Sequence, residues 1–248
     1  MNGTFIHIDR KVYKNTFLQQ VDVRLEYPSI AKDDIPKRAV DFFKKHFGID
    51  VVTDQILKKQ IGLRDDKTQL AFHFSPSASM LSVGYKDYHT FYDSVLPHLY
   101  PIKEYVFNVL GQSDVKVGLR KLNIFSFKKH ENIDQAKANR LIYQNIFSQN
   151  FLSADSLVEI EVRSGHNTEV GVRKFSVGLI EIDIKTFILP HEEKEDMSVL
   201  YMESTACFDA DVSNVERILE EANNTLYDAY HWAVNDSIID IMNREDTI

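Results

Sequence analysis

The chain has 248 residues, a formal net charge of −8 and a single cysteine, Cys207. One thiol excludes an internal disulfide and a multi-cysteine zinc site, and the acidic balance disfavours broad binding to phosphate backbones. Hydrophobic residues make up 44% of the chain and charged residues 27%, which is typical of a globular protein. Because no apolar leader follows Met1 and no apolar run approaches about 18 residues, we expect a cytoplasmic protein without a membrane span.

The first half of the sequence predicts strands and two helices. Around residues 17–27, apolar and charged residues alternate with the period of two that is typical of a sheet with one solvent-facing side. Asp33 or Asp34 can cap the first helix, Pro36 fits its first turn and Gly48 ends it. The predicted elements are strands at 5–8, 17–27, 55–63 and 69–74, and helices over 33–48 and 85–110.

The second half also predicts strands and two helices, and its last helix has the clearest pattern. Ser213 and Glu216 form a capping box, after which apolar residues recur every three or four positions as far as Met242. A helix of about 30 residues would extend about 45 Å. The predicted elements are strands at 115–127, 157–163, 175–187 and 199–208, and helices over 134–147 and 213–242.

This order of elements predicts an α+β fold with antiparallel or mixed sheets, helices on one face and a long C-terminal helix. We expect two interlocked halves, residues 1–150 and residues 151–248, packed as one compact unit. Two short segments, Ile61-Gly62-Leu63-Arg64 and Val117-Gly118-Leu119-Arg120, indicate a weak internal duplication, since each lies close to a predicted strand.

The segment Gly118-Leu119-Arg120-Lys121-Leu122-Asn123 resembles the G-L-R-aromatic-aliphatic-N signature of a sporadically distributed, uncharacterised prokaryotic family of similar length. Residues 85–96 resemble that family's aromatic-rich helix, and residues 209–242 resemble its closing strand and helix. Lys121 departs from the family pattern, because an aromatic residue is common at that position. The family has no established function, so the resemblance implies no activity. Its patchy distribution implies a mobile-island, defence-associated or phage-linked role.

Two acidic residues indicate a possible metal site. Asp209 and Asp211 lie two positions apart, so on a strand both carboxylates face the same way, and oxygen ligands are those that Mg²⁺ and Mn²⁺ prefer. Asp183 or Glu203 could complete such a site. The alternative, which we favour, is that Asp211 helps to cap the last helix and Asp209 faces water.

Basic residues gather around the signature strand, with Phe125 and Phe127 between them. A sheet that carries basic and aromatic side chains can stack single-stranded bases, although these aromatic residues could equally belong to the core. The basic residues of this candidate nucleic-acid surface are Lys116, Arg120, Lys121, Lys128 and Lys129.

Three further polar residues have open roles. Arg120 and Asn123 fall on opposite faces of a regular strand, so one of them can point inward. A buried arginine must be paired, so we favour a structural polar network over recognition of a ligand or partner. His73 lies in an alternating strand and could face a cleft, but a hydrogen-bonded or exposed histidine is the favoured interpretation.

Catalytic and cofactor motifs are missing from the sequence, which lacks G-x-x-x-x-G-K-[ST], G-x-G-x-x-G and G-x-S-x-G patterns. We therefore expect no cofactor and a non-catalytic binding or assembly protein. Its partner would be a second copy, joined through the surplus apolar face of the last helix, or another protein. The alternatives are a metal-dependent phosphodiesterase or nuclease that uses Asp209 and Asp211, and a nucleic-acid-binding accessory factor.

Overall fold

The computed structural model describes most of the chain, and its backbone contacts divide the chain into two compact units. Unit A contains residues 20–121 and 207–223, and unit B contains residues 1–19, 122–206 and 224–248. These boundaries differ from the predicted division at residue 150, because each unit combines stretches that are distant in sequence. The described residues are 5, 9, 12, 13, 16–30, 35–47, 52–57, 60–64, 70–86, 88–128, 135–154, 159–163, 168–177, 180–190 and 197–244.

The regular elements alternate between single helices and groups of strands. From the N-terminus they are β1 (Leu18–Glu26), α1 (Ile35–Phe47), β2 (Val52–Leu57), β3 (Gln60–Arg64), β4 (Leu70–Phe74), β5 (Ala78–Gly84), α2 (Phe91–Ser94), α3 (Leu96–Glu104) and a π-helical turn at Tyr105–Val109. They continue with β6 (Asp114–Lys128), α4 (Gln135–Ile146), α5 (Gln149–Leu152), β7 (Glu159–Arg163), β8 (Thr168–Val177), β9 (Ile180–Pro190), β10 (Met197–Asp211), a 3₁₀ turn at Val212–Asn214, α6 (Val215–Ala233) and α7 (Asp236–Asn243).

The chain contains two copies of the same order of elements, a strand, a helical segment, four strands and a closing helical segment. The strand order is β2-β3-β4-β5-β1 in the first copy and β7-β8-β9-β10-β6 in the second, so each opening strand lies beside the last strand of its copy. The strand pairs whose register is described are antiparallel. The α+β class predicted from the sequence is therefore confirmed.

The internal duplication is real at the level of topology, but the predicted sequence match does not mark it. Ile61-Gly62-Leu63-Arg64 lies in β3, whereas Val117-Gly118-Leu119-Arg120 lies in β6, which is the equivalent of β1. The equivalent of β3 is β8, and β8 contains Val170-Gly171-Val172-Arg173. The four-residue pattern therefore has a second match at the equivalent strand, which the sequence analysis overlooked.

The core of unit A lies on one face of its strands, beneath α1 and α3. Alternate residues of β1, Val21, Val23 and Leu25, are at most 1% exposed. Phe43 of α1 packs on Phe74 of β4 with ring centroids 4.9 Å apart, and Tyr105 contacts the same Phe74 ring at 4.9 Å. Because both helical segments meet one phenylalanine, they cover the same face of these strands.

Three predicted elements are divided in the structure. The predicted strand at 55–63 is the hairpin of β2 and β3, and the predicted strand at 175–187 is shared between β8 and β9. The predicted helix over 85–110 is three short segments, because Thr90 caps α2 and Pro97 lies at the start of α3, where its missing amide costs nothing. Gly111, with a φ of 71°, ends the last segment.

The predicted 30-residue C-terminal helix is wrong in length, because it breaks after Ala233. Backbone groups at the break bond to the end of α4: the amide of Ser148 donates to the Ala233 carbonyl, and the amide of Asn235 donates to the Ile146 carbonyl at 2.7 Å. The Asn235 side chain also donates to the Gln144 carbonyl at 3.0 Å. These bonds replace the helical ones, so α6 has 19 residues and α7 starts anew at Asp236.

The core of unit B contains an aromatic cluster around Trp232, whose ring centroid lies 5.0 Å from Phe175 and 5.3 Å from Phe5. Arg173 lies over the Phe151 ring and donates to the Ala154 carbonyl at 2.8 Å, and its partial burial lowers the pKa of the guanidinium.

No helix among the described residues is both long enough and apolar enough to cross a membrane. Residues 6–8 of the predicted strand at 5–8, the predicted caps Asp33 and Asp34, and Lys129 lie outside the described residues.

Candidate binding site on the open sheet face

The face of the unit A strands opposite α1 carries a row of residues in register across the sheet. Arg24 of β1 lies opposite Met80 of β5, Met80 lies opposite His73 of β4, and His73 lies opposite Gly62 of β3. On the other side of Arg24, a Cβ added to Gly118 of β6 would lie 3.9 Å from the Arg24 Cβ. We call Gly62, His73, Met80, Arg24 and Gly118 the central row.

A cleft of about 320 Å³ lies over the central row. Arg24, His73, Met80 and Gly62 line it, together with Gln60, Ile61, Phe74, Ser75 and Ala78. Gly62 is itself buried, so the exposed groups that the row presents to the cleft are the side chains of Arg24 and His73. Because this is the solvent side of an antiparallel sheet, the same alternation that buries Val23 and Phe74 exposes Arg24 and His73.

The charged side chains in the cleft are exposed. The Nε atom of Arg24 lies 3.1 Å from Oε1 of Glu26, and their side chains are 54% and 43% exposed. An ion pair this exposed stabilises a fold by less than about 1 kcal/mol. The pair engages Nε, so the two terminal nitrogens of Arg24 are the donors that a ligand can use. His73, two strands away, is also exposed and lines the same cleft.

Arg120 of the family-like signature supports this face rather than lining the cleft. Its Nη1 donates to Oδ2 of Asp22 at 2.6 Å, and Asp22 is only 5% exposed. The other oxygen of Asp22 accepts a hydrogen bond of 2.7 Å from the Gln20 side chain. The sequence analysis favoured a paired structural role for Arg120, but it did not identify Asp22 as the partner.

The remaining signature residues have two environments. Leu119 is fully buried in the core, and Gly118 lies between Arg24 and Cys207. Asn123 is 6% exposed and belongs to unit B. Arg120 and Asn123 thus lie on opposite sides of β6, as the alternation of a strand requires, and they do not form one site.

The predicted acidic pair lies in a different cleft of unit A, at the ends of β1, β6 and β10. Asp209 and Asp211 line this cleft of about 630 Å³ together with Glu26, Asp114 and Lys116. Asp183 belongs to unit B, where it lies opposite Lys174 in the β8–β9 register. Within the described part of the chain, no group of three or more His, Cys, Asp or Glu residues is arranged to hold a metal ion.

Asp211 has a capping role. Its Oδ1 accepts hydrogen bonds from the Ser213 hydroxyl and from the Ser213 amide, the latter at 2.8 Å. These bonds favour the ionised carboxylate and lower the pKa of Asp211 below its ordinary value. Asp211 is thus the N-cap of the 3₁₀ turn Val212–Asn214 that leads into α6, and Ser213, the predicted capping residue, lies inside that turn.

The predicted basic and aromatic surface is not continuous. Phe125 is 2% exposed and packs on Phe17 at 4.5 Å, so its ring is not available to stack on a base. Lys116 and Lys128 are exposed, but the acidic cleft surrounds Lys116. Lys121 lies one position from Arg120 and therefore on the other side of β6.

Known proteins offer little guidance to this site. No family model and no curated protein matches the chain. Among solved structures, the rolling circle replication initiator protein from Geobacillus stearothermophilus is similar over 83% of this chain and 78% of its own. The identity is 9% and the TM-score is 0.24, so this likeness carries no argument about fold or function.

Proposed function

We propose that this chain is a non-catalytic protein-binding module that holds a segment of its partner in the cleft over the central row. One observation carries the proposal: an open sheet face in unit A has a cleft of about 320 Å³ lined by exposed Arg24 and His73. A cleft of this size is within the range of small binding pockets. The exposed guanidinium of Arg24 and the exposed imidazole of His73 can both donate hydrogen bonds to a peptide segment that lies along the sheet.

A protein partner is favoured over a nucleic acid by the side chains on the open face. Stacking on aromatic rings is the main source of sequence-tolerant binding to single strands. The described open-face positions of β1, β3, β4, β5 and residues 114–121 of β6 carry no Phe, Tyr or Trp side chain. The net charge of −8 also repels a phosphate backbone.

We favour the open sheet face over the last helix as the surface that receives a partner. Six residues of the apolar stripe of α6 are each 0% exposed, while Ile218 is half-buried. The six fully buried residues are Val215, Leu219, Ala222, Leu226, Ala229 and Ala233. A partner is therefore more simply received by the open sheet face, and a second copy of the chain is one partner that this face could receive.

A peptide selection on the full chain tests the proposal. A library of random 12-residue peptides is displayed on phage, and the selected peptides are synthesised and measured by fluorescence polarisation. Met80→Trp fills the cleft without changing its charge, and Tyr92→Trp is the matched control, since Tyr92 is 48% exposed on α2. We expect Met80→Trp to weaken binding by at least about tenfold, or about 1.4 kcal/mol, and Tyr92→Trp to leave it unchanged.

The proposal fails if no selected peptide binds in solution, or if the peptides bind wild type and Met80→Trp equally well. Thermal melts of the two variants check that each is folded. Light scattering of the wild-type protein identifies the case in which the partner is a second copy, because self-association would then be reduced by Met80→Trp.

A further inference from the structure

We infer that the cleft recognises a carboxylate side chain of its peptide ligand, an aspartate or glutamate held between the Arg24 guanidinium and the His73 imidazole. This inference rests on the proposed function and adds to it the chemical class of the ligand. The inference is argued from the register of the row, from the contacts of Asp22 and Glu26, and from the residues that neighbour Arg24 and His73.

The register places Arg24 and His73 on either side of one apolar residue. His73 and Arg24 are both direct cross-strand neighbours of Met80. Two strand spacings separate their backbones by about 10 Å, a distance that these two side chains and one carboxylate can span. Met80 forms the apolar floor between them, and a thioether adapts to ligand side chains of different shape.

The acids near Arg24 leave room for a further carboxylate. Asp22 is closest along β1, but both of its oxygens are engaged, one by Arg120 and one by Gln20. Its charge is therefore compensated within the sheet. Glu26 lies 3.1 Å from Nε of Arg24 and is 43% exposed. Among the described residues, Glu26 is the acid paired with Arg24, and a ligand carboxylate can displace it because it is solvated.

The positions next to His73 and Arg24 along the row are glycines, of which Gly62 is buried. Gly62 lies opposite His73, and Gly118 lies beside Arg24. A Cβ at Gly118 would meet its nearest atoms, Cys207 Sγ and Arg24 Cβ, at 3.8 and 3.9 Å, which is ordinary contact distance. Packing therefore does not require glycine at position 118. Glycine at this position leaves the space next to the Arg24 side chain unfilled.

The expected selectivity is that of a charge-assisted hydrogen bond. Such a bond to an arginine that is about half exposed favours the charged ligand over its neutral amide analogue by about two- to fivefold. Replacing Glu26 with glutamine removes the internal competitor, so Glu26→Gln should strengthen binding of the acidic ligand by about two- to fivefold. A residue that only stabilised the sheet would produce no such gain.

The test uses the full chain and defined peptide pools. Each pool consists of acetylated, amidated nonapeptides with randomised positions around a fixed central Glu, Gln or Lys, and a fourth pool has a central Gln and a free C-terminal carboxylate. Binding is measured by displacement of a fluorescent Glu-pool peptide at near-physiological salt. Variants are Arg24→Gln, His73→Ala, Glu26→Gln and Met80→Trp, with Tyr92→Trp as control.

The inference predicts that the Glu pool binds at least about twofold tighter than the Gln and Lys pools, and that Arg24→Gln removes this preference. His73→Ala should weaken it, and Glu26→Gln should increase it. Equal binding of Glu and Gln pools that is lost in Met80→Trp would overturn the inference and leave the proposed function standing. Preference for the free C-terminus would overturn the side-chain assignment.

Two outcomes would overturn both proposals. In the first, no pool binds the wild-type chain. In the second, the Glu pool binds all variants equally, which would place the peptides outside the cleft.

A 12-residue oligothymidine is measured in the same assay. If it binds more tightly than any peptide pool and Arg24→Gln removes that binding, the site binds phosphate groups of a nucleic acid and the peptide assignment is wrong.

Discussion

The two faces of the unit A strands are built from alternate residues of the same segments, but they have opposite surroundings. On β4, Phe74 packs between Phe43 and Tyr105 on the covered face, while His73 points into the cleft on the open face. On β1, Val23 is 1% exposed, while the side chain of Arg24 is 54% exposed. A single step along a strand therefore separates residues that stabilise the fold from residues that are available to a partner.

One ion pair on the open face includes a buried residue and links two strands. Asp22 and Arg120 lie on the open face, yet Asp22 is as buried as a core residue and both of its oxygens are hydrogen-bonded. This pair joins β1 to β6 next to the central row. The open face thus contains one structural ion pair and, beside it, the exposed side chains of Arg24 and His73.

The largest expected effect is the contrast between Phe74→Ala and His73→Ala. Removing the buried Phe74 ring should lower the free energy of unfolding by about 3–5 kcal/mol. His73→Ala, one residue away, should change it by less than about 0.5 kcal/mol, because the side chain is exposed. Urea unfolding monitored by circular dichroism measures both values, and similar losses for the two variants would contradict the division between the faces.

Breaking the structural ion pair should have the next largest effect. Asp22→Ala should cost about 1–3 kcal/mol of unfolding free energy, less than for a fully buried pair, because the Arg120 side chain is 34% exposed and screened by solvent. Combining it with Arg120→Met isolates the coupling energy in a double-mutant cycle. A coupling energy near zero would mean that Arg120 is available for recognition after all.

Alkaline stability tests Tyr27, a buried tyrosine whose hydroxyl bonds to the core-facing Ser79 of β5. The Tyr27 hydroxyl bonds to the Ser75 carbonyl at 3.1 Å and to the Ser79 hydroxyl at 3.0 Å, and burial raises the pKa of Tyr27 to about 12. Since this folded-state pKa exceeds the unfolded value of about 10, the stabilising contribution is complete below pH 10 and is lost as pH rises towards 12.

Tyr27→Phe should therefore flatten the fall in stability between about pH 9.5 and 11.5 by about 1–2 kcal/mol. Tyr88, whose pKa burial also raises to about 12, should keep part of the slope. Unfolding free energies at several alkaline pH values make the measurement. An unchanged slope in Tyr27→Phe would show that the Tyr27 hydroxyl ionises as it does in water.

The smallest expected effect concerns the acidic cleft of Asp209 and Asp211. Metal binding there would have to break a cap, because Asp211 is engaged by Ser213. Mn²⁺ at about 1 mM should therefore shift the melting temperature by less than about 1 °C. Asp211→Asn should itself lower the melting temperature by weakening the cap. A Mn²⁺ shift above about 4 °C that Asp209→Asn removes would support the metal-dependent alternative instead.

Strands with strong alternation could be predicted from the sequence, and those with buried polar residues could not. β1 and β6 were predicted to within a few residues, because each alternates apolar and charged side chains along its length. β5 was missed, since Ser79 and Ser82 are both buried in it. Ser79 is tolerated at a core-facing position because it bonds to the Tyr27 hydroxyl, a long-range contact that no local pattern indicates.

The candidate site was missed for the same reason. Because β5 was not predicted, Met80 could not be placed between His73 and Arg24, and no strand register brought those two residues together. The acids Asp209 and Asp211 were identified because they lie two apart in sequence. The capping role of Asp211 could be anticipated from the helix that follows it, whereas the pairing of Arg120 with Asp22 joins positions 98 apart.

Amide chemical-shift mapping of the ¹⁵N-labelled full chain with a Glu-centred nonapeptide tests the central claim most directly. The account predicts that the largest shift changes occur at Gly62, His73, Met80 and Arg24, and that the same titration on Arg24→Gln leaves these amides nearly unmoved. Shift changes centred on Asp209 and Asp211, or on the exposed residues of α2 and α3, would contradict it.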